Sequence, residues 1–575
     1  MKLTVKRRPQ IDSDVFSSLS IHPLIARLYL ARGIESVEQV DYQLKNLLHP
    51  NDLGGIEMAA QITIEAIQQK RKIVIVGDFD ADGATSTAVA LRCLLAFGSV
   101  NHDYMVPNRF DYGYGLTEKL VDELIKIDAE VIITVDNGIS SIKGIQRARE
   151  TGMQVVVTDH HLPGPELPPA NAIVNPNNNN DAFASKNLAG VGVLFYLMAE
   201  VRKQLLQSSW FQTQKIPVPN LSHFLDLVAL GTVADVVPLD VNNRIMIAQG
   251  LRQIRHGQTV AGIKALFKVA DKRIEDADTN SFSYVLAPRL NAAGRLEDMS
   301  IGIDLLLSDD MDHAMLLAQQ LEDINQQRKV IQEEMQRFAD SVLKQLHGAE
   351  KIPPGLCLYH PDWHQGVVGL LASKVKEKIN RPVIAFARET ENSEMLKGSA
   401  RSVPGLHIRD VLVDIDSQYP DLMTKFGGHA MAAGLTMEHK HLQEFQQVFS
   451  DLTLDRLGQN NGIKVIETDG SIESDDLSIR IAELIEQAGP WGQHFTPPMF
   501  DDWFIVYEKR LIGGMHTKLV LQTADERKKV DAVAFGLHPN DFPQEGKQTH
   551  VCYKPSVNVF RGRRSLQLIV EALIQ

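Results

Sequence analysis

Residues 73–83, IVIVGDFDADG, set the carboxylates of Asp78, Asp80 and Asp82 directly behind a short apolar run. The stretch lacks the lysine of a P-loop, and its carboxylates would repel a phosphate unless a cation intervened. A divalent metal held by oxygen is the chemistry this pattern suits best. A helix cap or turn is the structural alternative, because Asp is common at both places. Two further runs end the same way. VIITVDNGIS, 131–140, brings Asp136 behind four mostly β-branched residues, and VVVTDHH, 155–161, brings Asp159, His160 and His161. GTVAD, 231–235, is read as a fourth such end, carrying Asp235. Oxygen donors mixed with a single imidazole favour Mn2+ or Mg2+ over structural zinc. An isolated His160-His161 pair would read as a polar turn, and only the aspartate-bearing ends around it point to a ligand.

These groups need elements that gather them. Ile73 to Val76 has the continuous β-branched pattern of a strand covered on both faces, with a tight turn at Gly83 and a helix from Ala84 to Leu95. Helical stretches at 117–127 and 141–151 are short enough for βαβ crossovers, so the fold class is α/β with a doubly wound parallel sheet. Ligands of such sheets bind beyond the carboxyl ends of the strands, where the Asp-bearing turns lie.

The 575 residues predict several domains, with 44% hydrophobic and 23% charged residues giving no sign of wholesale disorder. Cys93, Cys357 and Cys552 are widely spaced and odd in number, so neither a disulfide framework nor a CxxC site is offered, which suits a reducing cytoplasm. No apolar run approaches membrane-spanning length, and MKLTVKRRPQ lacks the apolar segment of a signal peptide. A soluble cytoplasmic protein is expected. The net charge of −13 argues against indiscriminate coating of nucleic acid while leaving room for a local basic groove.

In chain order we expect an N-terminal lead-in over 1–50 and the parallel-sheet domain over 51–308. Within it, 162–181 reads as a surface loop and RLNAAGRLE, 289–297, as a small-residue loop with two arginines. A connecting helix over 309–350 carries Leu317, Leu321, Ile324, Ile331, Met335, Phe338 and Val342 at helical spacing, and reads as an intramolecular strut with a coiled-coil dimer as the alternative. A second, smaller α/β domain follows over 351–460, with strands at GLCLYH and RPVIAFA. Residues 461–575 alternate as short strands, predicting an OB-like β-barrel.

VGDFDADG, VDNG, TDHH and GTVAD together resemble the four motifs of the DHH phosphoesterase superfamily, and GGHAMAAG resembles its DHHA1 domain. Motif order, the NAAGR stretch and the OB-like tail resemble the RecJ family of single-stranded-DNA-specific exonucleases over nearly the whole chain. The resemblance implies a two-ion Mn2+ or Mg2+ site: Asp136 bridges both ions, Asp80 serves one, and Asp82, His160 and Asp235 serve the other. Asp159 would stand behind the ligands and His161 would face the scissile phosphate. Many relatives have a histidine ligand where this chain has Val76, which implies weaker hold on the ion of Asp80 and Asp136, and activation by metal in two phases. The resemblance further implies 5′ to 3′ digestion to 5′-mononucleotides. It assigns Arg109, Arg289, Asn291, Arg295, Ser399, Arg401 and His429 to nucleic-acid contact, with Tyr112 and Tyr114 available to stack on bases. A monomer working beside a helicase and a single-strand-binding protein is the expected setting. A phosphodiesterase for short oligonucleotides or cyclic dinucleotides needs neither strut nor barrel. A non-catalytic replication factor would not need the complete set of carboxylates.

Overall fold

The computed structural model describes residues 2–11, 13–17, 21–108, 112–349, 352–390, 393–458, 463–560 and 562–574. Arg109 and Arg561 lie outside the described residues. The chain forms two compact units that interleave in sequence: residues 9–325 with 480–498, and residues 1–8 with 326–479 and 499–575.

The first unit is built on a five-stranded, all-parallel sheet in the order His102–Met105, Ile73–Val76, Val131–Val135, Gln154–Thr158, Ala172–Val174. The β-branched runs become the three central strands because each is covered on both sides. Val74, Val76, Ile132, Val155 and Val157 pack against Leu120, Val121, Leu124 and Ile145 of helices Glu118–Lys126 and Ile142–Glu150. On the other face run helices Ile56–Gln68, Ala81–Ala96 and Gly190–Gln207. Strand order reverses between Ile73–Val76 and Val131–Val135, the point where an open α/β sheet parts its loops and leaves a crevice. Asp78, Asp80, Asp82 and Asp136 all follow those two strands.

Four expectations need correction. Residues 231–235 are not a strand end: the helix Leu225–Ala234 continues through GTVA, and Asp235 is its C-cap. Residues 289–297 are not a loop but the helix Ala287–Leu296, entered from a π-helical turn at Ser281–Leu286. Alanine, leucine and arginine are strong helix formers, and the small residues allow close packing: a Cβ on Gly294 would lie 1.7 Å from the carbonyl oxygen of Phe79. Residues 162–181 are not wholly surface loop, since they include the short strand Ala172–Val174, and Asn175 is fully buried. Gly83 lies in the first turn of the helix Ala81–Ala96 rather than in a turn before it.

Residues 480–498 complete this unit. Trp491 and Phe495 stack at 4.8 Å, Phe495 takes the Arg244 guanidinium at 4.2 Å, and Tyr29 Oη donates to the carbonyl of Ala488 at 2.9 Å.

The second unit holds a mixed five-stranded sheet in the order Lys425–Gly428, Ala432–Glu438, Met395–Arg401, Val383–Arg388, Leu356–Tyr359. Only the last pair is parallel. FGGHAMAAG forms the hairpin at its edge. Ile384, Phe386, Leu396 and Leu435 meet Val411, Leu412, Phe445 and Phe449 of helices Ile408–Gln418 and Leu442–Leu457 in one core. Phe500–Ile512, His516–Thr523, Lys529–Ala534, Arg563–Ile574 and Gln548–Phe560 close in that order into a barrel, as the alternating pattern predicts. Lys2–Arg7 pairs in parallel with Ile463–Thr468 as a separate two-stranded sheet. The unit boundary falls within the helix Met311–Ala349, whose Leu321, Ile324, Met335, Ala339 and Leu343 are all buried. Among the described residues no helix is long and apolar enough to cross a membrane.

Candidate metal centre

The first unit brings Asp78, Asp80, Asp82, Asp136, Asp159, His160, His161 and Asp235 into one site. Donor atoms of Asp82, His160 and Asp235 lie within 4.8 Å of one another, as do those of Asp78, Asp80 and Asp136, and those of Asp136, His160 and His161. Each group is held by a local device. Asp80 caps the helix Ala81–Ala96, its Oδ1 accepting from the backbone N–H of Asp82 at 2.9 Å and of Gly83 at 3.0 Å. The capping role and a ligand role are therefore compatible, since the second carboxylate oxygen does not cap. Asp82 is buried at the start of the same helix, and accepts from the N–H of Gly190 at 2.6 Å and of Val191 at 3.0 Å, the first turn of the next helix.

Asp136 is 2% exposed and adopts φ +61°, a left-handed conformation that Asp tolerates better than most side chains. Beside it, Asn137 donates to the carbonyls of Val76 at 3.0 Å and Val135 at 2.9 Å, tying together the ends of the two strands where the sheet order reverses. His160 Nε2 sits 3.1 Å from Asp136 Oδ1 and 3.4 Å from Asp235 Oδ2. Asp136 Oδ1 is buried and makes no hydrogen bond of sound geometry among the described residues. A buried carboxylate oxygen in that state fits a cation.

Asp159 is satisfied on every side. Its Oδ1 accepts from the N–H of His160 at 2.7 Å and of His161 at 3.1 Å and meets His161 Nδ1 at 2.7 Å, while Oδ2 accepts from Ile139 N–H at 2.9 Å. Burial opposes its charge, but these bonds and the two imidazoles outweigh that and hold its carboxyl below the usual value. For His161, burial again works against the charge, and Asp159 with the surrounding carboxylates overrides it, pushing the imidazole up to about 9. Asp136 and Asp235 move the other way: burial first, then the charges of Asp82 and Asp80, raise both well above the ordinary range. The carboxylates are thus crowded into a space that disfavours their common ionisation unless positive charge is supplied.

Sequence reasoning gave Asp78 no role, although it stood in the quoted motif. It also missed Asn175 and Asn177, whose side chains donate to the carbonyls of His161 at 2.9 Å and His160 at 2.6 Å. An Asn-rich stretch reads as solvent loop, and nothing in composition reveals that two of its amides brace a histidine pair. Tyr114 Oη donates to the carbonyl of Asp136 at 3.2 Å, with its ring edge-on to His161 at 5.9 Å, so it supports the site directly. Val76 is wholly buried in the sheet core and provides no donor.

The residues assigned to nucleic acid divide. Asn291 Oδ1 accepts from the N–H of Ala81 at 2.8 Å, fixing the start of the Asp82 helix. Arg289 is nearly buried, 2.6 Å from Glu322, with Nη1 donating to the carbonyl of Val285. Arg295 is half-buried in the last turn of the same helix. In the second unit, Ser399 and Arg401 share the strand Met395–Arg401, and Arg401 donates to Ser399 Oγ at 3.0 Å, Ser373 Oγ at 3.1 Å and the carbonyl of Ala400 at 2.8 Å. No carboxylate pairs with Arg401 among the described residues. His429 is exposed at the hairpin turn.

Three family models match: the DHH family N-terminal domain over residues 72–232, the DHHA1 domain over 353–454 and the RecJ OB domain over 468–572. The chain is 46% identical over 567 residues to the single-stranded-DNA-specific exonuclease RecJ of Escherichia coli (strain K12), covering 98% of each. It is 47% identical over 575 residues to that of Haemophilus influenzae, covering 99% of each. A crystal structure of RecJ from Thermus thermophilus in complex with Mn2+ superposes with a TM-score of 0.81 at 26% identity, over 100% of this chain and 79% of the other. Domain order, near-complete coverage and the aspartate–histidine site agree, and the chain belongs to the RecJ family of single-stranded-DNA-specific exonucleases.

Proposed function

We propose that this chain digests single-stranded DNA from its 5′ end to 5′-mononucleotides, using two divalent ions, Mn2+ or Mg2+. The observation that carries the reading is the meeting of three overlapping donor triads in one site, two of them containing Asp136, whose buried Oδ1 makes no hydrogen bond of sound geometry among the described residues. When bound, the ions supply a hydroxide near neutral pH and offset the charge that builds on the phosphate oxygens.

The protein's own part is positioning and proton handling. Asp136 joins the triads, with Asp80 on one side and Asp82, His160 and Asp235 on the other. Asp159 fixes His161 through a 2.7 Å contact at Nδ1 and keeps it protonated, so that its ring can polarise the phosphate or give a proton to the departing oxygen. No covalent protein nucleophile is needed. Ser399 and Arg401 bind a phosphate, since the Arg401 guanidinium is largely shielded from water with only neutral oxygens as partners. Arg295 and His429 contact the strand, and Arg109 joins them on family grounds, while Arg289 and Asn291 act by holding their helix in place.

A single-stranded substrate must be exposed by another activity, so we place a helicase and a single-strand-binding protein among the partners and the protein in the cytoplasm. The burial of Leu321, Ile324, Met335, Ala339 and Leu343 in the helix Met311–Ala349 supports the intramolecular reading of that helix and with it a monomer. Incubation of a 5′-labelled single-stranded oligonucleotide with Mn2+ tests the reading. Early release of labelled mononucleotide, lost in Asp136→Ala, is expected. Internal fragments first, cleavage of dinucleotides only, or binding without cleavage would refute it.

A further inference from the structure

The helix Leu225–Ala234 ends on Asp235, and the residue after it turns left-handed: Val236 has φ +61°, a conformation unusual for a β-branched side chain. The Val236 side chain is 62% exposed, so no packing of its own fixes that turn. We infer that residues 491–495 are a positioning element for Asp235, acting through Leu239 to hold the turn in which Asp235 sits. The inference rests on the reading of Asp235 as a metal ligand and adds to it the segment that keeps the ligand in place.

Backbone strain of this kind persists only where the surroundings over-determine it. For Val236 the constraint lies downstream, at Leu239. That residue is 4% exposed, and both of its backbone polar groups are taken. Its N–H donates to the carbonyl of Gln493 at 2.8 Å. Its carbonyl accepts from Arg244 Nη1 at 2.8 Å, and the Arg244 guanidinium lies 4.2 Å from the centre of the Phe495 ring. Its side chain meets Gly492, where a Cβ would stand 2.5 Å from Leu239 Cδ1 and 3.1 Å from Cγ. Between Val236 and Leu239 the chain is stiff. Pro238 fixes its own φ and restricts Val237 before it, and the Pro238 carbonyl accepts from Asn243 Nδ2 at 3.0 Å. A hold on Leu239 is therefore felt at Val236 and at Asp235.

Residues 491–495 are anchored in their turn. Thr279 Oγ1 donates to the carbonyl of Trp491 at 2.7 Å, and the Gly492 N–H donates to the carbonyl of Phe495 at 2.8 Å. Arg32 stands over the Trp491 ring at 5.1 Å, and its Nε donates to the carbonyl of Thr496 at 2.8 Å. A segment that only filled the core would need no more than its aromatic side chains. This one also gives a main-chain carbonyl and a bare Cα to a single leucine, four residues past Asp235. On the other side of Asp235, the helix Leu225–Ala234 packs on the helix Ala81–Ala96, which carries Asp82. Asp235 is thus set between two supports, of which its own motif contains only the helix.

The full chain, stripped of metal, is titrated with Mn2+ alone by calorimetry, and free Mn2+ is followed by electron paramagnetic resonance. Asp235→Asn identifies the ion that Asp235 serves. Gly492→Ala is expected to weaken that same ion about tenfold or more, a loss of the size seen when a ligand's support is removed, and to leave the other unchanged. Val236→Gly relieves the strain, since glycine takes a left-handed φ freely, and added to Gly492→Ala it is expected to restore the affinity. A general packing defect would not be cured that way. If melting of the metal-free protein shows that Gly492→Ala does not fold, Phe495→Leu replaces it with the same expectation. Unaltered affinity for the Asp235 ion in a folded variant, equal weakening of both ions, or no recovery with Val236→Gly would overturn the inference and leave Asp235 a ligand. Two ions bound with unaltered affinity in Asp235→Asn would overturn the ligand reading and the inference with it.

Discussion

A methyl group built on Gly190 would stand 2.5 Å from Cβ and 2.8 Å from Oδ1 of Asp136. The first turn of the helix Gly190–Gln207 thus occupies the volume next to the carboxylate that joins the two triads, and the Gly190 N–H holds Asp82 at 2.6 Å. In Gly190→Ala either Asp136 or the helix must shift, and with the helix goes the bond to Asp82. Overpacking of this kind costs about 1–3 kcal/mol, and a displacement near 1 Å at a reacting centre costs about a hundredfold in rate. We expect kcat on single-stranded DNA to fall about that far, with Mn2+ binding weakened and DNA binding in chelator retained. An alanine variant with wild-type kcat would show that Asp136 need not sit where it does.

Both oxygens of Asp159 are engaged by backbone N–H groups and His161. On the proposed reading its task is to orient and charge His161. Asp159→Asn keeps the shape, removes the charge, and leaves one terminal atom as a donor facing N–H groups. We expect kcat to fall by about 10²–10⁴-fold, the usual weight of a general acid, with KM and the Mn2+ isotherm little changed. Single-turnover rates beside calorimetry separate this from loss of metal.

The central sheet, the long helix and the barrel were legible because their burial patterns are local. Asp136 and the DHH triplet were legible for the same reason: each follows its own strand directly. Asp235 was found while its element was mistaken, since GTVA is apolar and β-branched enough to read as a strand, and the helix it extends is set by packing on Ala81–Ala96. What sequence could not give is where the polar side chains spend their bonds. Nothing in RLNAAGRLE says that Asn291 caps the start of another helix or that Arg289 closes on Glu322. Nothing in residues 480–498 says that they fold with residues 9–325. Those are long-range choices, and a motif records only its neighbours.

Arg401 supplies a charge with no carboxylate beside it among the described residues, and burial holds its guanidinium below its usual range without detaching its proton at any working pH. On the proposed reading its partner is a phosphate of the substrate. Arg401→Ala is expected to abolish discrimination between 5′-phosphorylated and 5′-hydroxyl oligonucleotides, and Arg401→Lys to restore little of it, because a lysine cannot reproduce the planar fork. The measurement is the ratio of kcat/KM on the two substrates. An unchanged ratio in both variants would move the terminal phosphate elsewhere.

Asp501 joins three segments of the second unit. Arg7 Nη2 reaches it at 2.7 Å from the N-terminal strand, Thr468 Oγ1 donates at 2.5 Å from the strand paired with it, and His550 Nε2 lies 2.9 Å away on the barrel. Burial disfavours its charge, but these bonds prevail and hold the carboxyl below its ordinary value. A carboxylate whose folded value is depressed contributes stability that is complete above the unfolded value of about 4. That contribution is lost as pH falls through the folded value, because the unfolded chain then takes up the proton more readily. The strand Lys2–Arg7 should therefore detach from the barrel on acidification below pH 4, roughly. Arg7→Met, lacking the first of the three supports, moves the folded value back towards the unfolded one, so it should bring the loss on at higher pH and lower stability at pH 8 only modestly, since Arg7 itself is more than half exposed. Fluorescence of Trp503, stacked on His550 at 4.9 Å, read in a variant with the other three tryptophans replaced by phenylalanine, follows the transition. Coincident acid midpoints for the two proteins would show that Arg7 does not hold Asp501 in its charged form.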